Sequence, residues 1–226
     1  MISFLVKKIL CPTKLKYAKR FFRKKNIIVL DIGCGNRSCE ITKHHINVKE
    51  YFGIDKDYWN NDKQGYGGID NLLFMDLDDN PNFDSLKDNY FDLIIMNHVI
   101  EHLKNGELVL EMIYKKLKAD GLIYIETPSI ETLNFPSAIG FLNFYDDPTH
   151  KRVYEIKSLA SKLTFIGFKV IKYGKRRDWL RLILFSPIMI IYNLFIRFPF
   201  FRKIDARGLW DLLGVACFVI ATKGKK

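Results

Sequence analysis

Apolar and polar positions along the chain fall into short, nearly continuous hydrophobic runs, each closed by a polar or charged residue. Val29-Leu30-Asp31-Ile32, Tyr51-Phe52-Gly53-Ile54-Asp55, Leu72-Leu73-Phe74-Met75-Asp76, Phe91-Asp92-Leu93-Ile94-Ile95-Met96-Asn97 and Gly121-Leu122-Ile123-Tyr124-Ile125-Glu126 are the clearest. Runs of this length without strict alternation predict strands buried on both faces of a parallel sheet. Between the fourth and fifth runs, Leu108, Leu110, Met112, Ile113 and Leu117 recur at roughly helical spacing. Lys118-Ala119-Asp120-Gly121 then predicts a glycine stop for that helix. Strands alternating with helices imply right-handed crossovers and one doubly wound sheet.

The polar residues that close these runs carry the chemistry. In open α/β sheets, ligands bind beyond the carboxyl ends of the strands. Asp31 is followed at once by Gly33 and Gly35, a turn where the missing Cβ lets backbone or ligand come close. Asp55 stands 20 residues after Gly35, where an acid commonly accepts hydrogen bonds from ribose hydroxyls. A carboxylate ahead of the turn suits a cationic ligand better than a pyrophosphate. Ser38 occupies the last small position of the nicotinamide fingerprint, so a dehydrogenase is the weaker reading.

The order Val-Leu-Asp-Ile-Gly-Cys-Gly, Gly-Ile-Asp, Asp76, Phe-Asp-Leu-Ile-Ile-Met-Asn-His-Val-Ile-Glu-His-Leu and Leu-Lys-Ala-Asp-Gly-Leu-Ile resembles the class I S-adenosylmethionine-dependent methyltransferases. The small-molecule and glycan-type branch is the most similar. The match runs over about residues 26–173, with a last strand near 214–222. The resemblance implies a Rossmann-like, doubly wound, mostly parallel seven-stranded sheet with helices on both faces. It implies S-adenosyl-L-methionine as cofactor and a methyl-transfer reaction. Carried over by residue, Asp31, Gly33 and Gly35 would hold the methionine part, with Cys34 and Asn36 lining the turn. Asp55 would take the ribose hydroxyls, Asp76 and the backbone of Leu77 the adenine, and Asn97 and His98 would lie beneath the sulfonium.

A chain of 226 residues suffices for one domain with a full core. The expected division is a basic amphipathic helical segment over 1–25 and a methyltransferase domain over 26–226, with an insertion at about 176–208. Four cysteines (Cys11, Cys34, Cys39 and Cys217) show no CxxC and no zinc-like spacing, so free thiols and no metal site are expected. Adjacent His44 and His45 cannot face one ligand from a helix, which places them at the surface.

The net charge of +11 is polarised. Residues 1–25 hold nine Lys or Arg and no acid, residues 169–207 carry +8, and residues 26–168 carry −8. An acidic core thus sits between basic flanks. Pro12 is a candidate break in the first flank, which is read either as amphipathic helix or as a cover for the sheet. In the second, Leu182–Ile196 is 15 residues without a charge. As helix it would reach roughly 22 Å, short of a ~30 Å hydrocarbon core. In the fold that the resemblance implies, it also joins two strands of one sheet, which argues against a single crossing. The expectation is an apolar helical hairpin lying in a membrane interface, with Trp179, Tyr192, Phe195, Phe198, Phe200 and Phe201 among cations facing anionic lipid. The competing reading is a core cover or dimer contact. A cytoplasmic protein, peripheral at the inner face of the membrane, follows from the first. The flank is too apolar for a phosphate-tracking surface, so nucleic acid is disfavoured as a partner.

Acceptor chemistry is expected between Thr127 and Tyr154, a long connection with Pro128, Pro136 and Pro148. Methyl transfer from a sulfonium is an in-line displacement in which the enzyme aligns the reactants and excludes water. A hydroxyl acceptor must also lose a proton. His150 is the first candidate base and His98, with His102, the second. Asp146, Asp147 and His150 could alternatively bind a divalent ion, and Glu101 with His102 could be a buried structural pair. The end of the fourth run lacks the Asn/Asp-Pro-Pro-aromatic motif of amino methyltransferases acting on nucleic-acid bases. The sequence therefore predicts a methyltransferase acting on a small-molecule or glycan-type acceptor, a lipid-linked one included, with O-methylation favoured. An RNA methyltransferase and an inactive cofactor-binding scaffold are the competing readings.

Overall fold

The computed structural model describes residues 10–23, 25–35, 37–58, 62–79, 81–196 and 209–224. Two parts of the basic flanks (1–9 and 197–208) and Asn36 lie outside the described residues. Seven strands form one sheet: β1 (Ile27–Ile32), β2 (Val48–Asp55), β3 (Asn71–Phe74), β4 (Phe91–Asn97), β5 (Leu117–Pro128), β6 (Phe168–Lys175) and β7 (Ala216–Lys223). Their order is β3-β2-β1-β4-β5-β7-β6. The pairs among β1 to β5 are parallel, and β7 runs antiparallel to both β5 and β6. The expected Rossmann-like sheet is present.

Each face of the sheet is sealed by helices, which is why the central strands read as unbroken apolar runs. On one face, α3 (Gly106–Lys116) and α4 (Ile156–Ile166) bury Val109, Leu110, Ile113, Leu159 and Leu163 against Leu30, Ile94 and Ile123. On the other, α1 (Thr13–Phe22) and α2 (Ser38–His45) bury Leu15, Ala18, Phe22, Cys39 and Ile41 against Val29, Leu93, Ile95 and Tyr124. α1 begins after Pro12, whose fixed φ suits a helix start, and its apolar side covers the sheet. His44 and His45 end α2 without being buried.

Local signals were followed unevenly. Gly167, at φ +115°, closes α4, and Glu155 caps its start by accepting from the N–H groups of Lys157 and Ser158. After α3, by contrast, the expected glycine stop is not used. The helix ends at Lys116, Leu117 is already extended, and the left-handed residue is Asp120 at φ +61°. The register jumps from Phe91↔Leu117 to Leu93↔Leu122, so Lys118–Gly121 bulges within β5.

The apolar segment forms one helix, α5 (Trp179–Ile196), with Pro187 inside it. The return limb of the expected hairpin lies outside the described residues. Ile183, Ile188 and Leu194 are 64%, 62% and 63% exposed, so this face does not pack on the core. No described helix is long and apolar enough to cross a membrane. A short helix, α6 (Trp210–Leu213), leads into β7.

Candidate functional site

The parallel strands bring Asp31, Asp55 and Asp76 to one edge, at the carboxyl ends of β1, β2 and just beyond β3. Asp31 is fully buried. Its Oδ2 accepts from Ser38 Oγ at 2.5 Å and from the Tyr51 hydroxyl, while Oδ1 has no partner. Burial raises its carboxyl above the usual range, against the pull of Lys14, Ser38 and Tyr51. Asp55 Oδ2 accepts from Gly35 N–H at 3.1 Å and Tyr66 Oη at 2.8 Å, and Oδ1 from Lys56 N–H at 2.9 Å. The glycine turn and the end of β2 are thereby fixed to each other. Asp76 accepts from Lys56 Nζ at 2.6 Å and from Asp78 N–H at 2.9 Å, which holds its carboxyl at about 2. Beside it opens a cleft of about 480 Å³ walled by Leu73, Met75, Asn82, Asp84 and Ser85. Leu77 packs against the core next to it.

At two turn residues the space beside the backbone is taken by protein side chains. Gly33 has φ +73°, as a glycine turn requires, but a Cβ there would lie 2.4 Å from Val99 Cγ2. The room it leaves is taken by Val99, so this glycine serves the turn and its packing on the chain after β4. Cys34 is completely buried, and its Sγ occupies the space where Gly53 would carry a Cβ, 2.6 Å away. Burial, reinforced by Asp31 and Asp55, pushes its thiol up. Its side chain therefore cannot line a ligand site, because it fills the core between β1 and β2. Tyr51 and Tyr66, and the role of Ser38 as a partner of Asp31, were not expected from the sequence. Their types carry no signal, and only the fold brings them to Asp31 and Asp55.

The ends of β4 and β5 hold a second constellation. Asn97 pairs in register with Glu126, and His98 follows at φ +55°, a left-handed conformation that a non-glycine residue adopts only when its surroundings impose it. His98 Nδ1 lies 3.1 Å from Glu101 Oε1 and Nε2 3.2 Å from Glu126 Oε1. Carboxylate oxygens only accept, so both ring nitrogens carry hydrogens. Burial opposes that charge, but Glu101 and Glu126 raise His98 to about 9. The expectation that His98 could remove a proton is corrected by this arrangement, since the imidazolium has no lone pair. Glu126 also accepts from Tyr124 Oη at 2.5 Å and Arg176 Nη1 at 2.9 Å. Arg176 Nε pairs with Asp211 at 3.3 Å, and Trp210 stands edge-on to His98. Glu126 could have been found as one more acid ending a strand; Arg176, Asp211 and Trp210 left no local signal.

His150 sits in the connection after β5. Its Nδ1 lies 2.6 Å from the Phe144 carbonyl and its ring 4.8 Å from that of His102. The Lys151 and Arg152 N–H groups donate to the Glu101 carbonyl at 2.9 and 3.0 Å, which latches this loop over the chain after β4. Asp146 is not part of an ion site: its Oδ2 accepts from the N–H groups of Ala138, Leu142 and Asn143.

A methyltransferase-domain family model matches residues 6–173. The chain belongs to that family. The solved structures similar to this methyltransferase include a chain from the complex of the Haloferax volcanii Trm112 methyltransferase activator with a methyltransferase (15% identity, 94% and 89% of the two chains, TM-score 0.68). An Archaeoglobus fulgidus S-adenosylmethionine-dependent methyltransferase is 24% identical over 98% and 99% of the two chains, at TM-score 0.58. Phosphoethanolamine N-methyltransferase 2 of Haemonchus contortus, solved with S-adenosyl-L-methionine, is 17% identical over 94% of this chain and 52% of its own, at TM-score 0.64. At such identities these likenesses concern the fold. No protein of curated function matches the chain at a significant level.

The methyltransferase uses S-adenosyl-L-methionine, and the edge fits a sulfonium nucleoside on one point of chemistry in particular. A fully buried carboxylate with an unpartnered oxygen, Asp31 Oδ1, is costly to leave unmatched, and a cationic group is its natural complement.

Proposed function

We propose that this methyltransferase acts on a hydroxyl of a small-molecule or glycan-type acceptor, presented at a membrane surface. When bound, S-adenosylmethionine supplies an electrophilic methyl group on sulfur. In this reading Asp31 Oδ1 takes the ammonium of the methionine part, and Asp55 Oδ1 the ribose hydroxyls. Asp76 with the backbone of Leu77 takes the adenine at the cleft. Asn97 and the His98 imidazolium form the floor beneath the reacting centre.

The observation that carries the acceptor class is the state of His150. A carbonyl can only accept, so the 2.6 Å bond to Phe144 places a hydrogen on Nδ1, and in the neutral ring the lone pair then lies on Nε2. A hydroxyl acceptor requires such a group, whereas an amine can lose its proton to water after transfer. Membrane presentation is supported by the exposed apolar face of α5 between basic stretches: Ile183, Leu184, Ile188, Ile191 and Leu194 stand outward with no charged residue among them.

Label transfer tests the reading. Tritiated S-adenosylmethionine incubated with the protein and cell extract should place label in lipid or soluble glycan fractions, in base-stable ether linkage. Label in RNA or protein would overturn the acceptor class. Pelleting with anionic vesicles should be lost when Leu182–Ile196 is replaced by a short polar linker, and unchanged pelleting would remove the membrane clause.

A further inference from the structure

Glu101, His102 and His150 each bring one ligand-capable atom to within 4.8 Å of the others, from two segments 48 residues apart in the chain. Hydrogen bonds determine which atoms are spare. Glu101 is fully buried; its Oε1 faces His98 Nδ1, and its Oε2 is buried with no partner. The Thr149 hydroxyl donates to Asp147 Oδ1 at 2.5 Å, so its oxygen accepts from His102 Nδ1 at 2.9 Å, which leaves Nε2 of His102 with the lone pair. The Phe144 carbonyl fixes the same tautomer in His150. In the neutral tautomers that these bonds select, the spare ligand atoms are Nε2 of both histidines and Oε2 of Glu101, each residue being held by a partner on its other polar atom. Metal-ligating histidines are oriented in this way, the other ring N–H being spent on a carbonyl or a carboxylate-linked group.

We propose that Glu101 Oε2, His102 Nε2 and His150 Nε2 bind a divalent transition-metal ion of the zinc, cobalt or manganese class, with an open position facing the acceptor. Imidazole donors favour these over magnesium, and a two-histidine, one-carboxylate set leaves coordination free for water or a substrate oxygen. Adjacent ligands of a tetrahedral zinc at 2.0–2.1 Å are about 3.3 Å apart, so the cluster draws inward on binding. Asp147 Oδ2, 3.9 Å from His150 Nε2, adds a second negative charge near the ion. Through Glu101 Oε1, the site is one hydrogen bond from His98 and hence from the end of β4. An acceptor hydroxyl coordinated there would ionise more readily, so the ion takes over the task given above to a free His150. That purpose rests on the hydroxyl-acceptor reading; the ion site does not.

The test is a calorimetric titration of chelator-treated full-length protein with Zn²⁺, and with Mg²⁺ as the contrast. One Zn²⁺ per chain, preferred over Mg²⁺, is expected. His102→Ala and His150→Ala, each first shown to be folded by circular dichroism, should weaken binding by about 100-fold or more, and Thr149→Val by about tenfold, because it only orients His102. Cobalt substitution should give visible absorption that His150→Ala alters. No saturable binding by the wild-type protein, or equal affinity in both histidine variants, would overturn the proposal. Because binding is read without turnover, a wrong acceptor assignment would leave this result unchanged.

Discussion

Along the β1–β3 half of the sheet's carboxyl edge, Asp31, Asp55 and Asp76 are held by hydroxyls, main-chain N–H groups and the exposed Lys56. Along the β4–β7 half, Glu101 and Glu126 enclose His98, and Arg176 ties Glu126 to Asp211. In the first half Asp31 has no cation bound to it, whereas in the second every carboxylate named has a cationic neighbour. The contrast separates two uses of charge. Carboxylates without a resident cation are poised for a cationic ligand, at some cost in stability. A closed ion network rigidifies the platform on which a reaction takes place, and removing one member strands the others.

Glu126→Ala should give the largest effect, because it removes the buried carboxylate that Arg176 and His98 share and leaves these half-buried cations to Asp211 and Glu101 alone. Burial alone would lift the Glu126 carboxyl, but Arg176, His98 and Tyr124 hold it well below the ordinary range, so the native state depends on its charge. A loss of about 3–5 kcal/mol in urea unfolding is expected. A loss below about 1 kcal/mol would mean that the network is incidental. Asp55→Ala is the converse case. It removes hydrogen bonds from Gly35 and Tyr66, at about 1–3 kcal/mol, but should lower affinity for S-adenosylhomocysteine more than tenfold. Unchanged affinity by calorimetry would remove Asp55 from the ribose assignment.

The network also sets a pH dependence. His98 is raised from its ordinary 6.5 to about 9 in the folded protein. Its contribution to stability is fully present below about 6.5, declines above that, and is lost as pH rises through about 9. Unfolding free energies at pH 6, 7.5 and 9.5 should fall accordingly, and His98→Gln should flatten the decline. An equal slope in the variant would assign it to another group.

These halves were not equally legible in the chain. Asp31, Gly35 and Asp55 lie within 25 residues, the two acids closing apolar runs and the glycine in the turn after the first, so spacing alone placed them on one edge. The closing partners Arg176 and Asp211 follow Glu126 by 50 and 85 residues, and only the antiparallel return of β7 makes them neighbours. The turn shows a subtler failure. Gly33 and Cys34 match a ligand-binding pattern, yet their positions are decided by Val99 and Gly53, through packing that no local pattern encodes. His98 looked like a base because its residue type titrates near neutrality, and two flanking carboxylates reversed that.

The smallest effect falls on the open half, at Lys56, and it tests the adenine assignment most directly. Lys56 Nζ reaches Asp76 at 2.6 Å from an exposed position, so a solvent-screened pair of this kind should leave the unfolding midpoint unchanged when Lys56 becomes Ala. The Asp76 carboxyl, held at about 2 chiefly by that lysine, should return towards its ordinary 3.8, as followed by NMR titration. If Asp76 accepts from an adenine amino group, Lys56 competes with it. Lys56→Ala should then tighten adenosine-containing ligands, by at most a few-fold given the weakness of exposed pairs. Weaker binding instead would show that Lys56 itself touches the ligand, and would move the adenine contact from the residues after β3 to the end of β2.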